Sequence, residues 1–200
     1  IQIFHGAVLD LIKKNVDWIF IPHIHTMPKG KEWLDATFCP ITQASPYFVA
    51  KALSQAQSKF LMPVLEFVDG YETDTALVKM ATEKLGVSRK DAEKAFKKAV
   101  TKQKSLEEQF VKLGKKALEE LNAKKEIGII LVGRSYNAFP HETSLLIPKK
   151  ITSMGVSVIP FDFLEKTPVD DIPWYFANYV KVAIDIVKNS QNLFLLYVTS

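Results

Sequence analysis

Short apolar runs and apolar residues at helical spacing alternate over the first seventy positions. One helix is predicted near the start, where apolar side chains recur three or four positions apart: Phe4, Val8, Leu11 and Ile12. Residues 17–22 and 60–67 are apolar runs and are predicted to be strands. A helix is predicted to begin at Ser45-Pro46, because serine caps helices and proline fits their first turn. Residues 23–45 show little periodicity and are predicted to be a long loop, a kind of segment that often carries function.

The middle of the chain, residues 73–125, contains no proline and is rich in lysine and glutamate. Apolar residues at helical spacing predict three helices here. The first ends at Gly86, which suits a left-handed terminus, and Ser88 forms a capping box with Asp91 for the second. The third carries its apolar positions from Leu106 to Leu121. Glutamates interleave with the lysines and no aromatic stacking platform accompanies them, so we interpret these helices as solvated rather than nucleic-acid-binding.

Alternation of strand and helix returns in the last third. Strands are predicted at residues 126–132, 156–163 and 192–198, with helices at 144–154 and 174–188 between them. Because β-α-β crossovers are right-handed, such a run makes a parallel sheet. The predicted fold class is therefore α/β, with two Rossmann-like parallel-sheet portions joined by a helical segment.

The predicted domain organisation has three parts. Residues 1–70 form the first α/β portion, the end of a Rossmann-like domain. Residues 71–125 form the helical segment, and residues 126–200 form the second α/β portion, the start of a Rossmann-like domain. Because the chain opens without an initiator methionine and closes on a predicted strand, we expect it to be a piece of a longer protein.

Composition excludes several classes of protein. Hydrophobic residues make up 48% of the chain, enough for a core, which excludes a mainly disordered protein. No apolar run approaches the roughly 20 residues that span a bilayer, so we expect a soluble protein without a membrane partner. A single cysteine excludes an internal disulfide and, with no signal peptide in the sequence, favours the cytoplasm. The net charge of +4 is too small to imply a nucleic-acid partner.

Cys39, before Pro40, follows a predicted parallel strand, at the edge where open α/β sheets bind ligands. The residues alone leave three interpretations open. Cys39 is a small buried hydrophobic residue, a nucleophile with His23 or His25 as base, or a zinc ligand together with those histidines and His141. The spacing matches no Cys/His hydrolase signature and contains no second short-spaced pair of zinc ligands, which weakens the two chemical alternatives.

A second candidate site follows the strand at residues 126–132, where a glycine turn leads into a helix. Its residues are Gly133, Arg134, Tyr136 and Asn137. Backbone amides and the Arg134 guanidinium could meet an anion there, although the motif is neither G-x-G-x-x-G nor a P-loop. Asp162 ends the neighbouring predicted strand and is placed to orient Arg134. The alternative is a plain glycine turn whose arginine pairs with a nearby carboxylate, and no residue is identified as catalytic.

Several segments together resemble the family of 2-hydroxyacyl-CoA dehydratase components, especially the large CoA-substrate-specific enzyme activase-related proteins that fuse such modules to ATP-dependent activase domains. The early segments are His5-Gly6, the run 16–22, and Cys39-Pro40-Ile41-Thr42-Gln43-Ala44-Ser45-Pro46-Tyr47. The later ones are the runs 132–139 and 147–150, Gly155-Val156 and Ile159-Pro160-Phe161-Asp162-Phe163. Ser135 departs from the pattern, which more often has proline there. The resemblance covers most of the chain outside the helical middle.

The resemblance implies an iron–sulfur cluster held by cysteine thiolates from separate loops, of which this sequence contains only Cys39. It also implies an ATP-dependent activase domain or subunit as partner, a CoA thioester or related small molecule as substrate, and electron transfer in a dehydration or reduction. Because a cluster needs about four ligands, we expect none in the isolated 200 residues. In the intact protein we expect Cys39 to bind the cluster, and Gly133, Arg134, Tyr136 and Asn137 to line a cleft for substrate or partner. The alternative is a non-catalytic α/β module that binds a partner protein or a small anion.

Overall fold

The computed structural model describes residues 2–169 and 172–199. The chain divides into two compact units. Unit 1 comprises residues 1–29 and 36–101, and unit 2 comprises residues 30–35 and 102–200. Helices and small parallel sheets occur in both units, which confirms the predicted α/β class. No helix within the described ranges is both long enough and apolar enough to cross a bilayer.

Unit 1 is built on short parallel strands covered by helices. Its elements are α1 (Gln2–Lys13), β1 (Ile19–Phe20), β2 (His23–Thr26), α2 (Pro40–Ala52), β3 (Phe60–Leu61), β4 (Val64–Glu66) and α3 (Ala76–Leu85). Apolar side chains of α1, β1, α2 and β3 form its main buried cluster, with Val8, Ile19 and Val49 at 2% exposure or less. Burial of such side chains is the main stabilising term for this unit.

Two prolines interrupt the parallel ladder of unit 1 at the same level. β1 pairs with β3 and β2 pairs with β4, and Ile19↔Phe60 and His23↔Val64 share one register. Pro22 and Pro63 lie between these pairs, and a proline has no N–H to donate to a ladder. The predicted strands at residues 17–22 and 60–67 therefore exist; Pro22 ends the first, and Pro63 divides the second into β3 and β4.

The predicted long loop at residues 23–45 is wrong at both ends. Residues His23–Thr26 form β2, in keeping with their alternation of polar and apolar side chains. α2 begins at Pro40, not at Ser45-Pro46, and Cys39 occupies its N-cap. Pro46 lies inside the helix and the Ser45 hydroxyl donates to the Ile41 carbonyl, 2.6 Å away. The Cys39-Pro40 pair therefore supplies the helix start, with proline in the first turn.

The helical middle contains two helices, not the predicted three. α3 ends at Gly86, whose φ of +67° is left-handed, and the Ser88 hydroxyl accepts from the Asp91 amide, so the terminus and the capping box are confirmed. The second and third predicted helices are one continuous helix of 36 residues, α4 (Arg89–Lys124). The stretch 101–104 lacks an apolar residue, which suggested a break, but it also lacks any helix-breaking residue. This gap falls where α4 passes from unit 1 to unit 2.

Unit 2 contains a three-stranded parallel sheet in which β5 (Gly128–Gly133) lies between β6 (Ser157–Pro160) and β7 (Leu193–Val198). Its elements are the second part of α4, β5 (Gly128–Gly133), α5 (Ser135–Ala138), α6 (Ile147–Ser153), β6 (Ser157–Pro160), α7 (Tyr175–Lys188) and β7 (Leu193–Val198). Every predicted strand and helix of this region is present, and the predicted parallel pairing is confirmed. β5 is central and its side chains Ile130 and Leu131 are fully buried. This burial on both faces explains the continuous apolar run of β5.

An early segment of the chain belongs to the core of unit 2. Residues 30–35 pack there, and the Trp33 side chain is only 3% exposed. The Trp33 ring lies edge-on against Tyr179, with centroids 5.6 Å apart, and its indole N–H donates to the Thr167 carbonyl at 2.7 Å. The Asn178 amide donates to the Asp35 carbonyl at 3.0 Å. The sequence gives no signal for this placement, because the segment is short and without periodicity.

Candidate functional sites in the two units

Cys39 lies at the amino end of α2 in unit 1, and its side chain is partly exposed. The segment before it runs antiparallel to β2, where the Phe38 amide donates to the His25 carbonyl at 2.8 Å. The Gln43 side-chain amide donates to the Phe38 carbonyl at 2.7 Å, which ties the first turn of α2 to this segment. Because helix amino ends favour negative charge, the position suits a thiolate. The first interpretation, a small buried hydrophobic residue, agrees only in part with this intermediate exposure.

Polar side chains form a cluster on one face of α2, the face on which Cys39 is the first residue. Cys39, Gln43 and Tyr47 are spaced four residues apart and share this face. The His23 imidazole of β2 contacts it with both nitrogens: Nδ1 lies 2.8 Å from the Tyr47 hydroxyl and Nε2 lies 3.4 Å from Gln43 Oε1. His25 Nδ1 lies 3.0 Å from Glu66 Oε1. Sequence reasoning missed Gln43 and Tyr47, which follow Cys39 by four and eight residues; that spacing places them on one helix face only because α2 begins at Pro40.

The zinc alternative finds no support in the parts of the chain that the structure covers. No group of three or more His, Cys, Asp or Glu side chains is placed there to hold a metal ion. Both His23 and His25 have hydrogen-bonding partners on neighbouring elements. Among these candidate metal ligands, the only sulfur ligand is Cys39 at the amino end of α2.

The Arg134 cleft is a small cleft in unit 2 at the carboxyl end of β5. Its volume is about 140 Å³, and its walls are formed by Val132, Gly133, Arg134, Phe161, Phe176, Ala177, Val180 and Tyr197. The Arg134 guanidinium lies 4.7 Å above the centre of the Phe176 ring, a cation–π contact. Tyr136 is exposed on α5 and Asn137 is half-buried there, and neither lines this cleft. The volume suits a small anion or a single functional group and is below that of an ordinary ligand pocket.

The expected orientation of Arg134 by Asp162 is wrong. Among residues 2–169 and 172–199 no carboxylate forms an ion pair with Arg134, and the guanidinium packs on an aromatic ring instead. Asp162 instead lies in the 3-10 helix Phe161–Phe163, directly after β6, and lines a separate cleft. The alternative interpretation, an arginine tied to a nearby carboxylate, therefore also fails for the described residues.

The Asp162 cleft is a second and larger cleft in unit 2, of about 480 Å³. It is lined by Phe110, Leu131, Phe139, His141, Pro148, Lys149, Thr152, Val158, Pro160, Asp162 and Phe163. Asp162 Oδ1 is buried, and no donor of the described residues reaches it. Burial raises the pKa of the Asp162 carboxyl above its ordinary value, because desolvation penalises the charged form. No sequence signal identified this cleft, since its residues come from six separate segments.

Replacing Asp162 with asparagine should change how stability depends on pH. Because the folded-state pKa is raised above the ordinary value of 3.8, the folded protein is penalised at any pH where the carboxyl is charged. The penalty is absent below the unfolded pKa and complete above the folded one. Relative to the wild type, Asp162→Asn should therefore gain melting temperature at pH 7 and gain little near pH 3.5. Thermal unfolding at the two pH values measures the difference.

A carboxylate elsewhere in unit 2 provides the control for this measurement. Asp185 is partly exposed and its Oδ1 lies 2.8 Å from Lys181 Nζ. Asp185→Asn removes this surface ion pair and should give no gain at pH 7. An Asp162→Asn protein less stable than the wild type at pH 7, or one with the same gain at both pH values, would contradict the proposed cost of burying this charge.

Comparison with known proteins yields one match. A family model described as the CoA enzyme activase uncharacterised domain matches residues 1–164 of the 200. The matched range contains Cys39, the glycine turn at Gly133 with Arg134, and every residue that lines the Asp162 cleft. No curated protein and no solved structure matches the chain.

Proposed function

Because this chain belongs to the family described as the CoA enzyme activase uncharacterised domain, we propose that it is part of an activase-dependent iron–sulfur protein that resembles 2-hydroxyacyl-CoA dehydratases or reductases. Cys39 binds the cluster in the intact protein. The partners are an ATP-dependent activase domain or subunit and a CoA thioester. The observation that carries the proposal is the family match over residues 1–164 together with a partly exposed cysteine at a helix amino end inside it.

The residues present fit the cluster in part. The sequence contains one cysteine, whereas iron–sulfur clusters use about four ligands, so in this proposal the other ligands come from outside these 200 residues. A bound cluster would supply one-electron transfer, which thiolate ligation and surrounding hydrogen bonds tune. The role of this chain is to hold the thiol: α2 places it at a positive helix end and the hydrogen bonds of Phe38 and Gln43 fix the preceding segment.

The Arg134 cleft supplies the contact with substrate or partner in this proposal. Gly133 and Arg134 form part of its wall, while Tyr136 and Asn137 lie beyond the turn on α5. A guanidinium that faces an aromatic ring and has no carboxylate partner among the described residues keeps its charge available for an anionic group. The same observation favours the second candidate function, a non-catalytic module that binds a small anion or a partner protein.

Anaerobic reconstitution of the full-length protein with iron and sulfide tests the proposal. We expect a visible-absorption and paramagnetic cluster signal that falls to background in Cys39→Ser, because a hydroxyl is a poor replacement for a thiolate on iron. His23→Gln is the matched control: it alters the polar cluster on the same helix face but removes no thiolate, so its signal should persist.

The folded state of each variant is checked by circular dichroism and melting temperature. A folded Cys39→Ser protein that keeps the full cluster signal would exclude Cys39 as a ligand. A full-length protein that forms no cluster under any of these conditions would instead support the small-anion or partner-binding module.

A further inference from the structure

The Asp162 cleft is large enough for a small molecule, and most of its lining is apolar. Its volume of about 480 Å³ lies within the usual range of roughly 300–1,000 Å³ for ligand pockets, which the Arg134 cleft does not reach. Phe110 and Phe163 stack on each other, with ring centres 4.6 Å apart and 10° between the ring planes, and together form one continuous aromatic wall. Because burial of apolar surface against such a wall is favourable, the cleft suits a ligand with an apolar body.

A buried carboxylate oxygen without a donor indicates what else the ligand supplies. The Asp162 backbone N–H interacts with the carboxyl group, but Oδ1 is shielded from solvent and no N–H or O–H of the described residues satisfies it. Leaving a buried acceptor unpaired is unfavourable and uncommon in folded proteins. Because Asp162 lines the cleft and the torsion that turns its carboxyl group is soft, either oxygen can meet a donor on a bound ligand.

The charge of Asp162 favours a cationic donor over a neutral one. No basic side chain of the described residues forms an ion pair with this carboxylate. Its burial therefore has a cost at pH 7, the same cost that underlies the stability gain expected of Asp162→Asn. An ammonium group on the ligand would offset both the unpaired oxygen and the buried charge, and charge-assisted hydrogen bonds are stronger than neutral ones. The cleft therefore favours an ammonium group beside Asp162.

The basic side chains that line the cleft are exposed to solvent. Lys149 of α6 and His141 are both exposed, whereas Asp162 is half-buried. The Lys149 ammonium group would repel a simple amine, but a carboxylate on the same ligand would pair with it. The cleft thus combines a shielded negative group with an exposed positive one, which complements a zwitterion that carries an apolar side chain.

We propose that the Asp162 cleft binds a free α-amino acid with an apolar side chain. The ammonium group of the ligand pairs with Asp162, its carboxylate pairs with Lys149, and its side chain packs on the aromatic wall. The inference goes beyond the proposed function, because it uses neither the iron–sulfur cluster nor the Arg134 cleft and concerns a ligand without a thioester. It places a binding site at residues that no motif marks.

Calorimetric titration of the full-length protein with L-leucine and two analogues tests both charges of the ligand. The analogue 4-methylpentanoate keeps the apolar body and the carboxylate but lacks the ammonium group, whereas L-leucinamide keeps the ammonium group but lacks the carboxylate. We expect 4-methylpentanoate to bind about tenfold more weakly than leucine, the effect of one lost charge-assisted hydrogen bond. L-leucinamide should bind only severalfold more weakly, since the partner of the missing carboxylate is an exposed lysine.

Matched variants assign the two contacts to residues. Asp162→Asn, which we expect to be folded and more stable than the wild type at pH 7, should weaken leucine binding about tenfold without weakening 4-methylpentanoate binding. Lys149→Met should weaken the binding of leucine severalfold but not that of L-leucinamide. Lys150→Met removes an exposed lysine of the same helix that does not line the cleft, and it should change neither. A loss that depends on the ligand group in this way separates direct contact from a general effect on folding.

Three results would overturn the inference. The first is that none of L-leucine, L-methionine and L-phenylalanine binds at millimolar concentration. The second is equal leucine binding by the wild type and a folded Asp162→Asn protein, and the third is 4-methylpentanoate binding as tight as that of leucine. Cluster reconstitution uses no amino acid, so the dependence of the cluster signal on Cys39 is a separate readout and its failure leaves this inference standing.

Discussion

Replacing Gly114 with alanine should destabilise the protein by about 3 kcal/mol, the largest effect expected from one methyl group. Gly114 lies within α4, and a Cβ built there would be 2.1 Å from the Phe163 carbonyl oxygen and 2.9 Å from the Phe163 carbonyl carbon. These are backbone atoms, so the clash cannot be relieved by rotating a side chain. Either α4 or the 3-10 helix at Phe161–Phe163 must move.

At an ordinary helix position, the same glycine-to-alanine substitution has the opposite effect on the free energy of unfolding. Glycine to alanine in an exposed helix stabilises by about 1 kcal/mol, since alanine loses less conformational freedom on folding. Gly6 of α1 provides the control, because a Cβ there meets no atom within 4 Å. Urea unfolding should therefore show Gly6→Ala as stabilised and Gly114→Ala as destabilised. An unchanged unfolding free energy in Gly114→Ala would contradict the close approach of α4 to Phe163.

Truncating Trp33 to alanine should cost about 3–5 kcal/mol, the usual range for a large buried aromatic side chain. The Trp33 ring is 3% exposed and packs on Tyr179, and a side chain at Gly30 would begin 2.7 Å from the same ring. Trp33→Phe retains an aromatic ring but leaves the Thr167 carbonyl without its indole donor. We therefore expect a smaller loss of about 1–3 kcal/mol for this variant.

Thermal or chemical unfolding measures both Trp33 variants, and Trp18→Ala serves as their control. Trp18 is 42% exposed, so its truncation leaves a much smaller cavity and should cost far less. Equal losses from Trp18→Ala and Trp33→Ala would show that residues 30–35 do not belong to the core of unit 2.

The last third of the chain could be predicted almost completely because its strands are mainly apolar and alternate with helices. β5 reads as a strand buried on both faces, and α7 keeps its apolar residues at helical spacing. The spacing of apolar residues along a strand or helix reflects which of its faces is buried, so it can be read directly from the sequence. Parallel pairing then follows from the crossover rule without any knowledge of tertiary contacts.

The errors in the first third have a common cause. Pro22 and Pro63 divide strands that share one register, and Cys39-Pro40 competes with Ser45-Pro46 as a helix start. Proline suits several local structures, and the choice between them depends on what the neighbouring chain can bond to. At Pro40, hydrogen bonds of Phe38 to His25 of β2 and to the Gln43 side chain accompany the helix start, and neither bond follows from the periodicity of the local sequence.

Candidate sites could likewise be predicted only where their residues lie close together in the sequence. Cys39 and Arg134 could be identified because each lies in a local pattern, a cysteine-proline pair and a glycine turn after a strand. The Asp162 cleft could not, since it combines α4, β5, β6, α6 and the turns after two strands. Nothing in the sequence around Asp162 distinguishes a buried carboxyl from one that faces solvent.

The burial of Trp33 in unit 2 also affects how the chain is made. Trp33 is synthesised 134 residues before Thr167, the residue whose carbonyl it contacts. At typical rates of about 5–20 residues per second, the ribosome takes roughly 7–27 seconds to extend that far. During this interval a large apolar ring has no core to enter, which makes residues 30–35 a natural target for the chaperones that shield nascent chains.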